Sequence, residues 1–98
     1  MKKLEKIEQA RSEIRHQDYR LRCLNRDLFD EREIASIERT LKDCIKKMQS
    51  AIEIAKKAKL NTEDLSQRRL KKSIEHYKKS FDLQRAELKE KIEEYKEA

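Results

Sequence analysis

Neither glycine nor proline occurs anywhere in this chain of 98 residues. These two residues form most sharp turns and helix ends, so a chain without them changes direction at only a few places. Charged residues make up 47% of the chain and hydrophobic residues 36%, a balance typical of long helices and coiled coils. The composition therefore predicts an all-α fold of long helices joined by very short turns, and it argues against a sheet.

Two helix-capping motifs divide the chain into three helices. Asp30 is placed as an N-cap with Glu33 three residues later, which is the pattern of a capping box. Asn61 is placed as a second N-cap, with Asp64 at the third helical position. Because both connections are very short, neighbouring helices are expected to be antiparallel. The motifs predict a single domain over residues 1–98, an antiparallel three-helix bundle or coiled coil with helices over about 2–28, 30–59 and 61–96.

Apolar residues recur at helical spacing in each predicted helix. In the first helix they form a narrow seam, which is interrupted by four polar residues: Arg11, Gln17, Asp18 and Asn25. The second helix carries the widest apolar face and is expected to be the most buried. The third helix carries a heptad line made of Leu70, Ile74, Tyr77, Phe81, Leu88, Ile92 and Tyr95, with Gln84 as its one polar break.

An equal rise per residue on both sides of a turn predicts which residues face each other. Position x of the first helix should face about position 58 minus x of the second, and position x of the second about 121 minus x of the third. Gln17 and Gln84 then fall mid-bundle, where they either form a buried polar layer or point sideways into water, and water is the favoured alternative. Cys23 and Cys44 fall on the order of 13 Å apart along the axis, so free thiols are expected.

The net charge of +6 is concentrated in one part of the chain. Between Lys46 and Lys72, nine Lys or Arg residues stand against three acidic residues, a surplus equal to that of the whole chain. Residues 86–98 carry five glutamates against three lysines, and in an antiparallel bundle the two stretches lie at opposite ends. The dipole of the third helix favours the reverse arrangement, acids first and bases last. The bases at the end of the second helix complement its dipole, so the fold leaves unexplained only the part of the basic stretch on the third helix.

Several functions lack the residue patterns that they need. A chain without glycine has no phosphate-binding loop of the usual kind, and His16 and His76 are expected on the surface without nearby cysteines. The carboxylates are expected beside Lys or Arg on solvated faces, where they are poor general acids. We therefore expect no enzyme, no cofactor and no metal site. No apolar run is long enough for a membrane span and the start lacks a signal-peptide core, so a cytoplasmic location without membrane binding is expected.

The favoured function is a non-enzymatic protein-binding module: a small adaptor, chaperone or inhibitor that docks on another protein with an acidic surface. Docking would use the third helix and the basic stretch. The candidate contact residues are Lys56, Lys57, Lys59, Arg68, Arg69, Lys71, Lys72 and Lys79. Glu75 lies within helical reach of several of these lysines and is expected to weaken the patch.

Two alternatives remain open at the level of sequence. The same eight cations could bind nucleic-acid phosphates without reading bases, in which case affinity should fall steeply with salt. A homodimeric coiled-coil spacer is the third hypothesis. It would use the narrow seam of the first helix and an apolar residue left over at one tip, Tyr95.

Overall fold

The computed structural model describes residues 2–27 and 34–97, which form three α-helices and no strand. Helix α1 spans Lys2–Asp27, α2 spans Ile34–Lys57 and α3 spans Leu65–Glu97. The all-α fold class and the three-helix bundle are confirmed. The predicted cap at Asp30 and Glu33 lies outside the described residues. The helices lie side by side in a rod with principal extents of 52 × 18 × 17 Å.

Polar contacts between the helices fix their directions. The Lys3 Nζ donates to the backbone carbonyl of Lys59 at 2.9 Å, so the start of α1 lies beside the residues that follow α2, and these two helices are antiparallel. Arg22 donates to Ser80 Oγ at 2.7 Å, and Asn25, about one turn later, donates to the Gln84 side chain at 2.9 Å. Positions therefore advance in the same direction on both helices, and α3 is parallel to α1. Helix α1 packs closely against both partners, whereas α2 and α3 approach each other closely at few positions.

The core is shared unequally among the helices, and α1 is the most buried. It contributes five buried apolar residues and three buried polar ones, whereas α2 contributes four buried residues. The expectation that α2 would be the most buried helix is therefore wrong. The reason is geometric, because α1 has a helix on each of two sides while the wide apolar face of α2 is only partly covered by α3. Among the described residues, the buried apolar ones are Ile7, Ala10, Ile14, Leu21, Leu24, Ile37, Cys44, Met48, Ala51, Leu70, Ile74, Phe81, Leu88 and Ile92.

The start of α3 differs from the predicted one. Asp64, and not Asn61, is its N-cap, because Asp64 Oδ1 accepts hydrogen bonds from the backbone N–H of Ser66 at 2.8 Å and of Gln67 at 3.5 Å. Asn61 instead forms a turn before the helix, in which its side chain accepts from the N–H of Glu63 at 3.0 Å. Aspartate and asparagine both favour caps and turns, and the second of the two candidates starts the helix.

The register between helices is displaced by about one helical turn from the predicted one. The prediction places Asp43 opposite residue 15, but Asp43 pairs with Arg20 at 2.9 Å. The prediction also places Gln84 beside Leu21, but its side-chain oxygen accepts from Asn25 Nδ2 at 2.9 Å. The first displacement accounts for the second, because a shift of about five residues between α1 and α2 moves Gln84 from the level of Leu21 to about that of Asn25.

Both cysteines are free thiols, Cys44 buried and Cys23 partly buried. Burial raises the pKa of the Cys44 thiol, which keeps it in the unreactive protonated form. We expect a thiol reagent to modify Cys23 at least about ten-fold faster than Cys44 in the native protein. Rates measured on Cys23→Ser and Cys44→Ser variants provide the comparison, and unfolding in urea should make them equal. Equal rates in the native protein would contradict the buried placement of Cys44.

Candidate functional site

All eight predicted contact residues are exposed, and seven of them lie at one end of the rod. We call residues 56–72 the basic end; they comprise the last residues of α2, the connection and the first two turns of α3. Within the described part of the chain, none of the eight side chains forms an ion pair. Arg68 uses its guanidinium to bond the Thr62 carbonyl at 2.8 Å. The remaining seven side chains present charges that the fold itself does not neutralise.

The structure distributes these cations over different sides of the rod. Lys56 and Lys71 come together across the space between α2 and α3. Lys57 lies on the α1/α2 side with Lys3 and Lys6, and Arg69 lies on the α1/α3 side. The basic end is therefore a ring of charge around the rod and not one flat face. Helical geometry places the exposed Lys72 and Lys79 on the outward side of α3.

The space between α2 and α3 at the basic end is a groove of about 340 Å³. We call it the α2/α3 groove, and its lining residues are Ile52, Ala55, Lys56, Ala58, Leu60, Thr62, Lys71, Ile74, Glu75 and Lys78. Its floor is apolar because both helices turn their core-facing sides toward it. It stays open because α1 holds α2 and α3 while these two have few close backbone contacts with each other.

The rim of the α2/α3 groove carries a positive charge. Lys56 projects from α2, and Lys71 and Lys78 project from α3 one heptad apart, against the single carboxylate of Glu75. Glu75, which was expected to weaken the patch, forms no ion pair with any described residue. An apolar floor between cationic edges suits a ligand that is apolar on one side and acidic on its flanks.

A second groove, between α1 and α2, differs in its charge. It exposes Ile54, which is 48% accessible, but the carboxylates of Glu13 and Asp43 also line it. Hydrogen bonds from the Arg20 guanidinium, and to a smaller extent from Lys47, hold the pKa of Asp43 below its ordinary value. The bond between Arg20 and Asp43 also raises the pKa of Arg20. Part of the basic charge here is therefore already balanced within the fold.

The interface between α1 and α3 contains a polar line that the apolar pattern only hinted at. Arg11, Asp18 and Asn25 are spaced seven residues apart on α1, and each has a buried polar atom without a hydrogen-bond partner among the described residues. Gln17 is also buried, donating to Glu13 at 2.7 Å and accepting from Arg20 at 3.0 Å. The interpretation that Gln17 points into water is therefore wrong.

Gln84 is likewise tied into the bundle, but not to Gln17. It is partly buried and accepts from Asn25 Nδ2 through both its backbone carbonyl, at 3.0 Å, and its side-chain oxygen, at 2.9 Å. The two glutamines therefore belong to separate polar contacts. Gln17 bonds to Arg20, which reaches α2, whereas Gln84 joins α3 to α1. Contacts of this kind fix which residues of neighbouring helices lie level with each other.

Side chains with metal-binding chemistry are not grouped together in the part of the chain that the structure describes. His16 and His76 are exposed, as predicted, and the His76 ring contacts the edge of Tyr77 with 5.2 Å between centroids. Among the described residues no group of three or more His, Cys, Asp or Glu side chains could hold a metal ion. No helix in the described ranges is long and apolar enough to cross a bilayer.

Comparisons with known proteins add no relative. No protein-family model matches the chain, and neither a curated protein nor a solved structure shows significant similarity to it.

Sequence reasoning found the cations of the basic end but missed the groove between them. Ile52 and Ala55 belong to the wide apolar face of the second helix, and Lys78 was not among the predicted contacts, although all three line the α2/α3 groove. The seven-residue spacing of Lys71 and Lys78 is a signal that they share one side of α3. The distance between α2 and α3 has no such signal, since it depends on how α1 separates them.

Proposed function

We propose that this protein is a non-enzymatic protein-binding module that docks on an acidic surface of another protein through its basic end and α3. The observation that carries the proposal is the set of exposed cations at one end of the rod that no carboxylate of the described chain neutralises. Concentrated charge of one sign steers a partner of opposite sign and selects its orientation.

The apolar groove favours protein over nucleic acid as the partner. A phosphate backbone needs cations and gains little from an apolar floor, whereas protein interfaces combine an apolar centre with a polar rim. The stacking platforms of single-strand binders are exposed aromatic rings. Near the basic end Tyr77 is only partly buried, but its ring packs against the core and faces the Arg15 guanidinium at 6.0 Å.

Charge reversal at the basic end tests the proposal. We expect a Lys56→Glu, Lys71→Glu, Lys72→Glu variant to lose at least about ten-fold in affinity for the natural partner, because each exposed charge pair contributes about 0.2–1 kcal/mol and reversal adds repulsion. The matched control is Arg39→Glu, Lys42→Glu, Lys89→Glu, which makes the same charge change at three exposed positions away from the basic end. The tagged proteins are purified from the native host at low and high salt.

The expected result is a stoichiometric protein that the wild type and the control retain at high salt and the basic-end variant loses. Three tyrosines and no tryptophan give the chain a weak absorbance, so co-eluting nucleic acid is easily recognised. Nucleic acid that is released by salt, or a partner that both variants retain equally, would contradict the proposal.

A further inference from the structure

We infer that the α2/α3 groove receives an amphipathic α-helix of the partner, acidic along its flanks, which packs along α2 and α3 as a fourth helix. The inference rests on the proposed function and specifies the element of the partner that docks. It follows from the uncovered apolar side of α2, the spacing of the helices and the charge of the rim.

The apolar face of α2 is wider than its two neighbours cover. Nine apolar residues of the described chain pack against the core while remaining partly exposed, and seven of them lie on α2 or directly after it: Ile34, Leu41, Ile45, Ile52, Ala55, Ala58 and Leu60. Such residues are only partly covered because α3 contacts α1 and not the outer side of α2. An apolar face that the fold leaves partly uncovered is typical of a surface that binds a further partner.

The shape of the opening suits a helix better than an extended peptide. A helix packs against its neighbours at axial distances of about 8–10 Å and inserts side chains spaced at i, i+3, i+4 and i+7. The α2/α3 groove runs between two helices, so its floor presents side chains from both at matching helical spacing. An extended peptide gains most from pairing with a strand edge, and the described residues contain no strand.

The rim identifies the flanking charge of the incoming helix. Three lysines stand against one glutamate at the edges of the groove, two of the lysines on α3 and one on α2. An incoming helix with Asp or Glu on both flanks would face lysine on each side, whereas one with Lys or Arg would be repelled. Opposite Glu75, the incoming helix could carry one basic residue within its otherwise acidic flank.

A second copy of this chain fits the groove less well. A closed dimer places the same surface of both copies in contact. Two α2/α3 grooves facing each other would therefore bring Lys56, Lys71 and Lys78 of one copy against the same lysines of the other. The rim that attracts an acidic helix disfavours this arrangement.

The test measures affinity for a synthetic helical peptide with leucines at the two apolar positions of each heptad and glutamates on both flanks. A peptide with lysines in place of the glutamates is the control ligand. The paired protein variants are Ile52→Ala and Ile54→Ala, since Ile52 lines the α2/α3 groove and Ile54 lines the α1/α2 groove. Circular dichroism before each titration establishes that both variants are folded.

We expect Ile52→Ala to weaken binding of the acidic peptide about ten-fold, Ile54→Ala to change it less than about two-fold, and the lysine peptide not to bind. Equal weakening by both variants, binding of the lysine peptide, or self-association that Ile52→Ala abolishes would each overturn the inference. If a natural protein partner is captured but Ile52→Ala leaves its affinity unchanged, the groove assignment fails while the proposed function stands. If no protein is captured at all, the proposed function fails first.

Discussion

Replacing Leu21 with alanine should lower the free energy of unfolding by about 2–5 kcal/mol. Leu21 is 0% exposed on α1, the helix that contacts both neighbours. Truncating its side chain therefore leaves a cavity in the helix on which the packing of the other two depends. Small domains have total stabilities of about 5–15 kcal/mol, and this one change removes a large part of that. Urea denaturation followed by far-ultraviolet circular dichroism measures the difference.

Leu83→Ala is the matched control for this prediction. Leu83 is 67% exposed on α3, so the same truncation should change stability by less than about 0.5 kcal/mol. A comparable loss from both variants would show that Leu21 is not at the centre of the bundle. It would then contradict the account in which α1 organises the fold.

Replacing Asp18 with leucine should stabilise the protein by about 1 kcal/mol or more, toward the lower end of the range of about 1–4 kcal/mol found when a whole buried ion pair is replaced by apolar side chains. The Asp18 side chain is 4% exposed, and its Oδ1 has no hydrogen-bond partner among the described residues. The hydrogen bond that it accepts from Arg22 Nε at 3.2 Å contributes little to stability, because Arg22 is 55% exposed to solvent. After the substitution Arg22 keeps its bond to Ser80 and its contact with water.

Asn25→Leu is the informative comparison for Asp18→Leu. It removes a side chain that donates to Gln84, and so leaves a partly buried glutamine oxygen without this donor. We expect Asp18→Leu to raise the thermal midpoint by about 4 °C or more, since 1 kcal/mol corresponds to about 4–8 °C in a domain of this size, and Asn25→Leu to raise it less or lower it. A lower midpoint for Asp18→Leu would mean that its bond to Arg22 outweighs the burial of its charge.

The number of helices could be predicted because capping residues and apolar spacing are local signals. The position of the second cap was wrong, because Asn61 and Asp64 are both good caps and only the folded chain selects one of them. The predicted register between α1 and α2 was also wrong, by about five residues, because Asp43 meets Arg20. This displacement explains why Gln84 meets Asn25 and not Leu21. Local chemistry identifies elements reliably, whereas small errors in connection length displace whole helices.

The candidate site was predictable in its charge and not in its shape. The cations of the basic end are a property of the sequence, and their exposure follows from their place opposite the apolar line of each helix. Their separation onto three sides of the rod, and the groove between Lys56 and Lys71, depend on the spacing of α2 and α3. That spacing results from packing against α1, whose buried polar residues interrupt its apolar pattern.

Isoleucine methyl spectra recorded with and without the captured natural partner test the central claim most directly. The account predicts that the methyl signals of Ile52 and Ile74, which line the α2/α3 groove, shift on binding. The methyl signals of Ile54, which lines the groove between α1 and α2, and of the buried Ile14 should not shift. Shifts at Ile54 without shifts at Ile52 and Ile74, or a complex that leaves all four signals unchanged, would contradict it.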